Sequence, residues 1–409
     1  MRVTIAVAAA SFALATVSLT LAACASAPAG NGAIGGNGAT PGPGTPAAPP
    51  GDGDGTVADC RSGVVPGAPI TAPPDTWTWV DVPEAKCRDG SSTGIGVRLH
   101  PGSTQVAIYL EGGGACFHDA SCAINDVLQS WSESDFNAWV GVTGSAGIFD
   151  TTRDDNPLRG WNMVYVPYCT GDVHAGAREH VDVPGDAAPK DQMFVGYTNI
   201  GWYLRRLVPT FAGASHVVVT GISAGGFGAA LNYDRVAQAF CGARVTLVDD
   251  SGPPMADAYL APCLQQRWRD LWNLDSTLPA DCAACRGADG GGLVNYVDYL
   301  SKKYPSQQLG LISANQDSVI SLFFGYGENN CAGLTGPSAP MAGATFEAGL
   351  DDLRSNYFSR ANLGSYIIPS ISHTWTTALT FYTTSVQSTP LPTWMNQMVN
   401  EQLPTHVQP

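Results

Sequence analysis

From residue 106 onward the apolar positions come in short unbroken runs instead of alternating with polar ones. Residues 106–110 end in three glycines, 163–166 in Pro-Tyr-Cys, 216–220 in Gly221, 245–248 in two aspartates, and 309–312 in Ser-Ala-Asn. Short β-branched runs of this kind suit strands buried on both faces. Between them the period changes to that of a helix. Ile200, Tyr203, Leu204 and Leu207 share one face of 199–208, and Phe227, Ala230, Leu231, Val236 and Phe240 recur through 226–240. Strands alternating with helices predict an α/β fold around a mostly parallel central sheet. Ahead of it, 77–82 and 95–99 alternate about a Gly/Ser turn and predict a hairpin. The Gly- and Pro-rich stretches 252–292 and 325–343 read as insertions over the strand ends, where such sheets bind ligands.

The first 58 residues are different. Arg2 precedes a small, apolar run that closes on Leu21-Ala22-Ala23-Cys24, which resembles a bacterial lipobox. It predicts a signal peptide over 1–23 and a lipid on Cys24, giving an exported lipoprotein that faces the periplasm or the cell surface. Plain secretion without the lipid is the alternative. A membrane-spanning reading fits the length, but the small residues before Cys24 favour cleavage. Residues 24–58, nearly all Ala, Gly, Pro, Asn and Thr, cannot bury enough surface to order themselves and read as a tether. The folded domain is expected over 59–409. Charged residues are scarce, at 13% of 409, and the net charge is −15, which argues against a nucleic-acid partner. Setting Cys24 aside leaves ten cysteines, an even number in an exported chain, and predicts up to five disulfides. Cys116 and Cys122 could close a small loop. Cys282-Ala-Ala-Cys285 could instead be a metal or redox motif, but no second CxxC or suitably spaced histidine accompanies it.

The sharpest chemical signal is Gly221-Ile222-Ser223-Ala224-Gly225. It follows a predicted strand and opens a predicted helix, as a nucleophile elbow requires. A serine nucleophile needs a base, and the base needs an orienting acid. In such folds the order is serine, acid, histidine. Of seven histidines only His373 and His406 come late enough, and His406 sits in a Pro-flanked tail expected to fray. His373 follows the run 366–368, where the base belongs. Asp317, just past the strand at 309–312, is the preferred acid, with Asp249 and Asp250 as rivals. Gly112-Gly113-Gly114 follows the strand at 106–110. It offers N–H groups of Gly113 or Gly114, with Ala224, as an oxyanion hole. No metal or organic cofactor is implied, and a monomer is expected.

Together these motifs resemble the pectin acetylesterase/Notum family. The resemblance rests on Leu110-Glu111-Gly112-Gly113-Gly114-x-Cys116, Tyr168-Cys169-Thr170-Gly171-Asp172, Ser223-Ala224-Gly225-Gly226, Asp317 and His373, and spans roughly 75–400. It implies an α/β-hydrolase that removes acyl groups from O-esters without a metal. It also implies a structural role for Asp250. The chain departs from the family at Gly114-Ala115, where an aromatic residue is common, and at Val173-His174. The leading substrate expectation is an acetylated polysaccharide. The alternatives are a lipase or polyester depolymerase with a longer acyl pocket, and an inactive glycan-binding surface protein.

Overall fold

The computed structural model describes residues 65–125 and 128–409. The predicted signal peptide, Cys24, the tether and Cys60 lie outside the described residues. Nine strands form one sheet: β1 (Thr78–Lys86), β2 (Ser92–Arg98), β3 (Gln105–Leu110), β4 (Asn162–Val166), β5 (His216–Ile222), β6 (Arg244–Asp250), β7 (Leu309–Ala314), β8 (Leu363–Ile368) and β9 (His406–Val407). Their order is β1-β2-β4-β3-β5-β6-β7-β8-β9. The predicted hairpin is the antiparallel pair β1–β2, and β2 is antiparallel to β4. From β4 to β9 every neighbouring pair is parallel, so the sheet is the α/β-hydrolase-like one the sequence predicts.

The unbroken apolar runs have a direct cause. Val217 and Val219 of β5 and Leu309 and Leu311 of β7 pack on one side of the sheet. Val218 and Ile312 pack on the other. With both faces covered, successive side chains are buried whichever way they point. Helix α1 (Gly196–Thr210) and helix α2 (Ala224–Ala239) are the two predicted from the 3.6 period. Helix α2 begins directly after Ser223.

The insertion at 252–292 carries α3 (Pro262–Trp272) and is organised by the buried Arg269. Its guanidinium donates to the carbonyls of Gly290, Cys285 and Gly291 at 2.8, 2.7 and 2.9 Å. Four disulfides join Cys87–Cys169, Cys116–Cys122, Cys263–Cys331 and Cys282–Cys285. The CxxC pair is therefore bonded to itself, and the small loop between Cys116 and Cys122 is closed as expected. Cys241 is unpaired among the described residues. The C-terminal tail departs from its reading. His406–Val407 pairs with β8 as the ninth strand, and the His406 ring bonds Ser365 Oγ at 2.9 Å. Two paired residues are too few to leave a periodic trace in a sequence.

Candidate active site

Five chain segments converge at the carboxyl ends of the parallel strands. The chain leaves β3 for β4 on one side and returns to β5 on the other, so β3 and β5 flank the topological switch point. Register places Leu110 opposite Gly221. The glycine run that follows β3 therefore lies beside the serine that follows β5.

Ser223 is the only residue between β5 and α2. It has φ 56° and ψ −122°, a conformation costing about 1–3 kcal/mol that points to function. Its N–H donates to Asp250 O at 2.7 Å, and its carbonyl accepts from Gly226 N at 2.8 Å. A side chain at Gly225 would run into the backbone carbonyl of Leu110, so the second glycine of the motif is a steric requirement. The Ser223 Oγ makes no hydrogen bond among the described residues and stands at the mouth of an apolar cavity.

His373 follows β8, and Asp317 follows β7. The His373 Nδ1 lies 2.7 Å from Asp317 Oδ2. Asp317 is fully buried, and its Oδ1 accepts from the N–H groups of Val319 and Ile320, both at 2.9 Å. It thereby caps α4 (Ser318–Phe324). The carboxylate is thus held from behind by the helix it starts, with one oxygen left for the imidazole. The opposite nitrogen, Nε2, is buried and has no hydrogen-bond partner. Of the three candidate acids, Asp317 is the one that meets the histidine.

Asp250 takes the structural role that the resemblance implies. Its Oδ2 accepts from Trp375 N, Thr376 N and Thr376 Oγ1 at 2.8, 2.7 and 2.8 Å, and its Oδ1 accepts from Ser251 Oγ at 3.0 Å. Burial pushes this carboxyl up, and these donors pull it back down. Its backbone carbonyl meanwhile holds Ser223. One residue therefore ties the serine turn to the histidine loop.

The glycine run is held from outside. His174 Nε2 donates to Glu111 O at 2.9 Å, Asn125 Nδ2 to Gly113 O at 2.6 Å, and Tyr168 Oη to Gly114 O at 2.7 Å. In a trans peptide the C=O and the following N–H point opposite ways. Anchoring the Gly113 and Gly114 carbonyls therefore turns the N–H groups of Gly114 and Ala115 away from these buttresses. The N–H groups of Gly113, Gly114 and Ala224 donate to nothing among the described residues. Gly114 and Ala224 line the same cavity as Ser223, whereas Gly113 packs against Leu128 and Tyr168. Gly112, outside the predicted set, approaches most closely: a Cβ there would sit 2.6 Å from Ile222 O and 2.9 Å from Ser223 Cβ. Asn125 and His174 also escaped the sequence reading. The signal for His174 lay in the Tyr168–His174 motif; Asn125 left none.

Burial pulls the His174 imidazole down to about 4, from 6.5, so at neutral pH it is an uncharged donor. Between these values the unfolded chain binds the proton and the folded one does not. Stability is therefore lost as pH falls from about 6.5 to 4. His174→Gln keeps a donor but does not titrate. Relative to that variant, the parent protein is expected to lose about 3 kcal/mol across the window, read from urea unfolding at pH 7, 5.5 and 4.

The cavity has a volume of about 70 Å³. From Ser223 its lining runs past Leu247 of β6 and Leu309 and Leu311 of β7 to Leu363 of β8. That crosses three inter-strand spacings, about 14 Å. Gly114 and Ala115, at the departure from the family, line the cavity with Ser223, and the Phe323 ring of α4 packs against Gly114.

Known proteins resemble this chain in sequence and in fold. The pectinacetylesterase family profile matches residues 76–286, about half of the chain. Palmitoleoyl-protein carboxylesterase notum2 of Xenopus laevis is 35% identical over 156 residues, covering 37% of this chain and 30% of the relative. Human palmitoleoyl-protein carboxylesterase NOTUM is 33% identical over 157 residues, covering 37% and 30%. The chain thus spans about a third of the length of the curated relatives it matches. The crystal structure of the Drosophila Wnt deacylase Notum superposes with a TM-score of 0.55 at 21% identity, covering 79% of this chain and 93% of that one, which establishes a shared fold. With its sheet, serine turn and glycine run in place, the chain belongs to the pectinacetylesterase family, together with the Notum proteins.

Proposed function

We propose that this protein hydrolyses carboxylic esters by acyl transfer through Ser223, and that the acyl group is of medium length. His373, oriented by Asp317, takes the Ser223 proton as Oγ attacks the ester carbonyl. The N–H groups of Gly114 and Ala224, which line the cavity with Ser223, receive the oxyanion next to the N-terminal end of α2, and Gly113 of the predicted set lies outside that lining. Collapse of the tetrahedral intermediate expels the alcohol, which takes the proton from His373 and leaves an acyl-Ser223. Water, deprotonated by His373, attacks this second ester, and the acid departs. The observation that carries the reading is the Asp317–His373 pair at 2.7 Å, on the same strand ends as a strained serine that opens on an apolar cavity. The unmade Ser223–His373 bond fits a resting site, since such bonds commonly tighten only when substrate binds.

The cavity favours the longer-chain alternative over an acetyl group. The methyl of an acetyl group would occupy only the Ser223 end and leave unused the apolar lining that runs on to Leu309, Leu311 and Leu363. In a p-nitrophenyl ester series, kcat/KM is expected to rise from acetate through butyrate to octanoate by at least about tenfold, at up to ~0.8 kcal/mol per buried methylene, and to fall again at palmitate. A maximum at acetate would return the reading to a deacetylase acting on a polysaccharide.

We also place the protein outside the cytoplasm, anchored through Cys24. Four disulfides fit an oxidising compartment. Cys24→Ser is expected to move the protein from the membrane fraction to the soluble one; unchanged fractionation would remove the anchor from this account.

A further inference from the structure

The acyl cavity contains one carboxyl group that the proposed reaction does not use. Asp249 is the only acidic or basic side chain among the described lining residues, and it is 3% exposed. Its Oδ1 accepts from Gly252 N at 2.8 Å, while Oδ2 has no partner among the described residues. Its position is close to the chemistry. Asp249 pairs with Gly221 across β5 and β6. Its Oδ1 lies where a Cβ on Gly226 would be. A glycine three residues after the nucleophile is thus what lets the carboxyl lie against the first turn of α2.

The bond to Gly252 N engages only one of its two oxygens. A buried carboxyl with the other oxygen unmet costs free energy that an aliphatic residue of similar size would not. No lysine, arginine or histidine lines the cavity to offset it. The hydroxyls nearby are Ser223 and Tyr296, and the latter already bonds Leu231 O at 3.3 Å. Apart from this carboxyl the cavity is lined almost wholly by apolar side chains.

We infer that Asp249 forms a polar subsite beside the nucleophile, and that the preferred acyl group carries a hydroxyl within the first few carbons from the ester carbonyl. Burial, then the adjacent Asp250, raises the Asp249 carboxyl well above its usual range, toward the neutral acid. That form both donates and accepts, as an alcohol does. The inference rests on the ester-hydrolase reading and specifies its substrate as hydroxyacyl esters.

The test compares kcat/KM for octanoate and 3-hydroxyoctanoate esters of one alcohol, in the parent protein and in Asp249→Ala. The parent is expected to prefer the hydroxy ester by about tenfold or more, as one hydrogen bond to a buried carboxyl supplies. In Asp249→Ala the ratio is expected to collapse toward one. A parent that takes the plain ester equally well or better, or a variant that keeps the parent's ratio, overturns the inference and leaves the hydrolase reading standing. Turnover of neither ester overturns both. Should Asp249→Ala fail to fold, Asp249→Leu takes its place, and a parent without preference for the hydroxy ester overturns the inference by itself.

Discussion

Ser223→Ala is expected to lower kcat on a short ester by about 10⁶, the scale of loss when serine hydrolases lose their nucleophile, while leaving the melting temperature within a degree or two. The two halves of this expectation have separate causes. Ser223 Oγ makes no hydrogen bond, so its removal leaves no partner unsatisfied. Alanine keeps the Cβ and occupies the same φ of 56°, so the backbone strain is unchanged. The chemistry, in contrast, loses the atom that forms the acyl-enzyme. Ser223→Gly supplies a control of opposite sign. It loses the same atom but relieves the positive φ, and should be more stable than the alanine variant by about 1 kcal/mol. Thermal melts beside steady-state hydrolysis measure both. Substantial turnover by either variant would end the assignment of Ser223.

Much of this arrangement was legible in the chain because its causes are local. The strands at 216–222 and 309–314 show as unbroken apolar runs since both faces are covered. The turn at Ser223 shows because its glycines answer to nearby backbone. What stayed hidden depends on distant residues meeting. Asp249, Asp250 and Asp317 all lie at or just past a strand end, and although Asp317 is the acid the sequence prefers, position along the chain does not show what each one meets. They differ in what they face across the fold: Gly252 N, the Trp375–Thr376 backbone, and His373. The buttresses of the glycine run are of the same kind. Asn125 and His174 act 12 and 63 residues from the carbonyls they hold, and neither residue type announces such a role. The length of the acyl cavity is set by Leu309, Leu311 and Leu363, which in the sequence are ordinary core positions. The acetyl expectation came from the family resemblance, and the longer chain we propose comes from these residues.

Asp317→Asn is expected to lower kcat by about 10⁴ with KM little changed, as when the acid of a serine-protease triad becomes an amide. Two functions meet in this side chain, and the amide separates them. Asparagine Oδ1 still accepts from Val319 and Ile320 N–H, so the cap on α4 persists and stability should change by less than about 1 kcal/mol. At the other oxygen a donor replaces an acceptor. The imidazole can then bond residue 317 only by presenting a bare Nδ1, which moves its proton to Nε2. That nitrogen must be bare to take the Ser223 proton, so the histidine stays in place in the wrong tautomer. Asp317→Ala would confound the readings by also removing the cap, at about 1 kcal/mol. The pair of measurements therefore discriminates. A kcat loss with an unchanged melt assigns Asp317 to the proton's path, and a melt that falls in step with kcat reduces it to a helix cap. Full activity in the amide would hand the acid's role to another group, and both oxygens of Asp250 are already engaged, Oδ2 by the Trp375 and Thr376 N–H groups and Oδ1 by Ser251 Oγ.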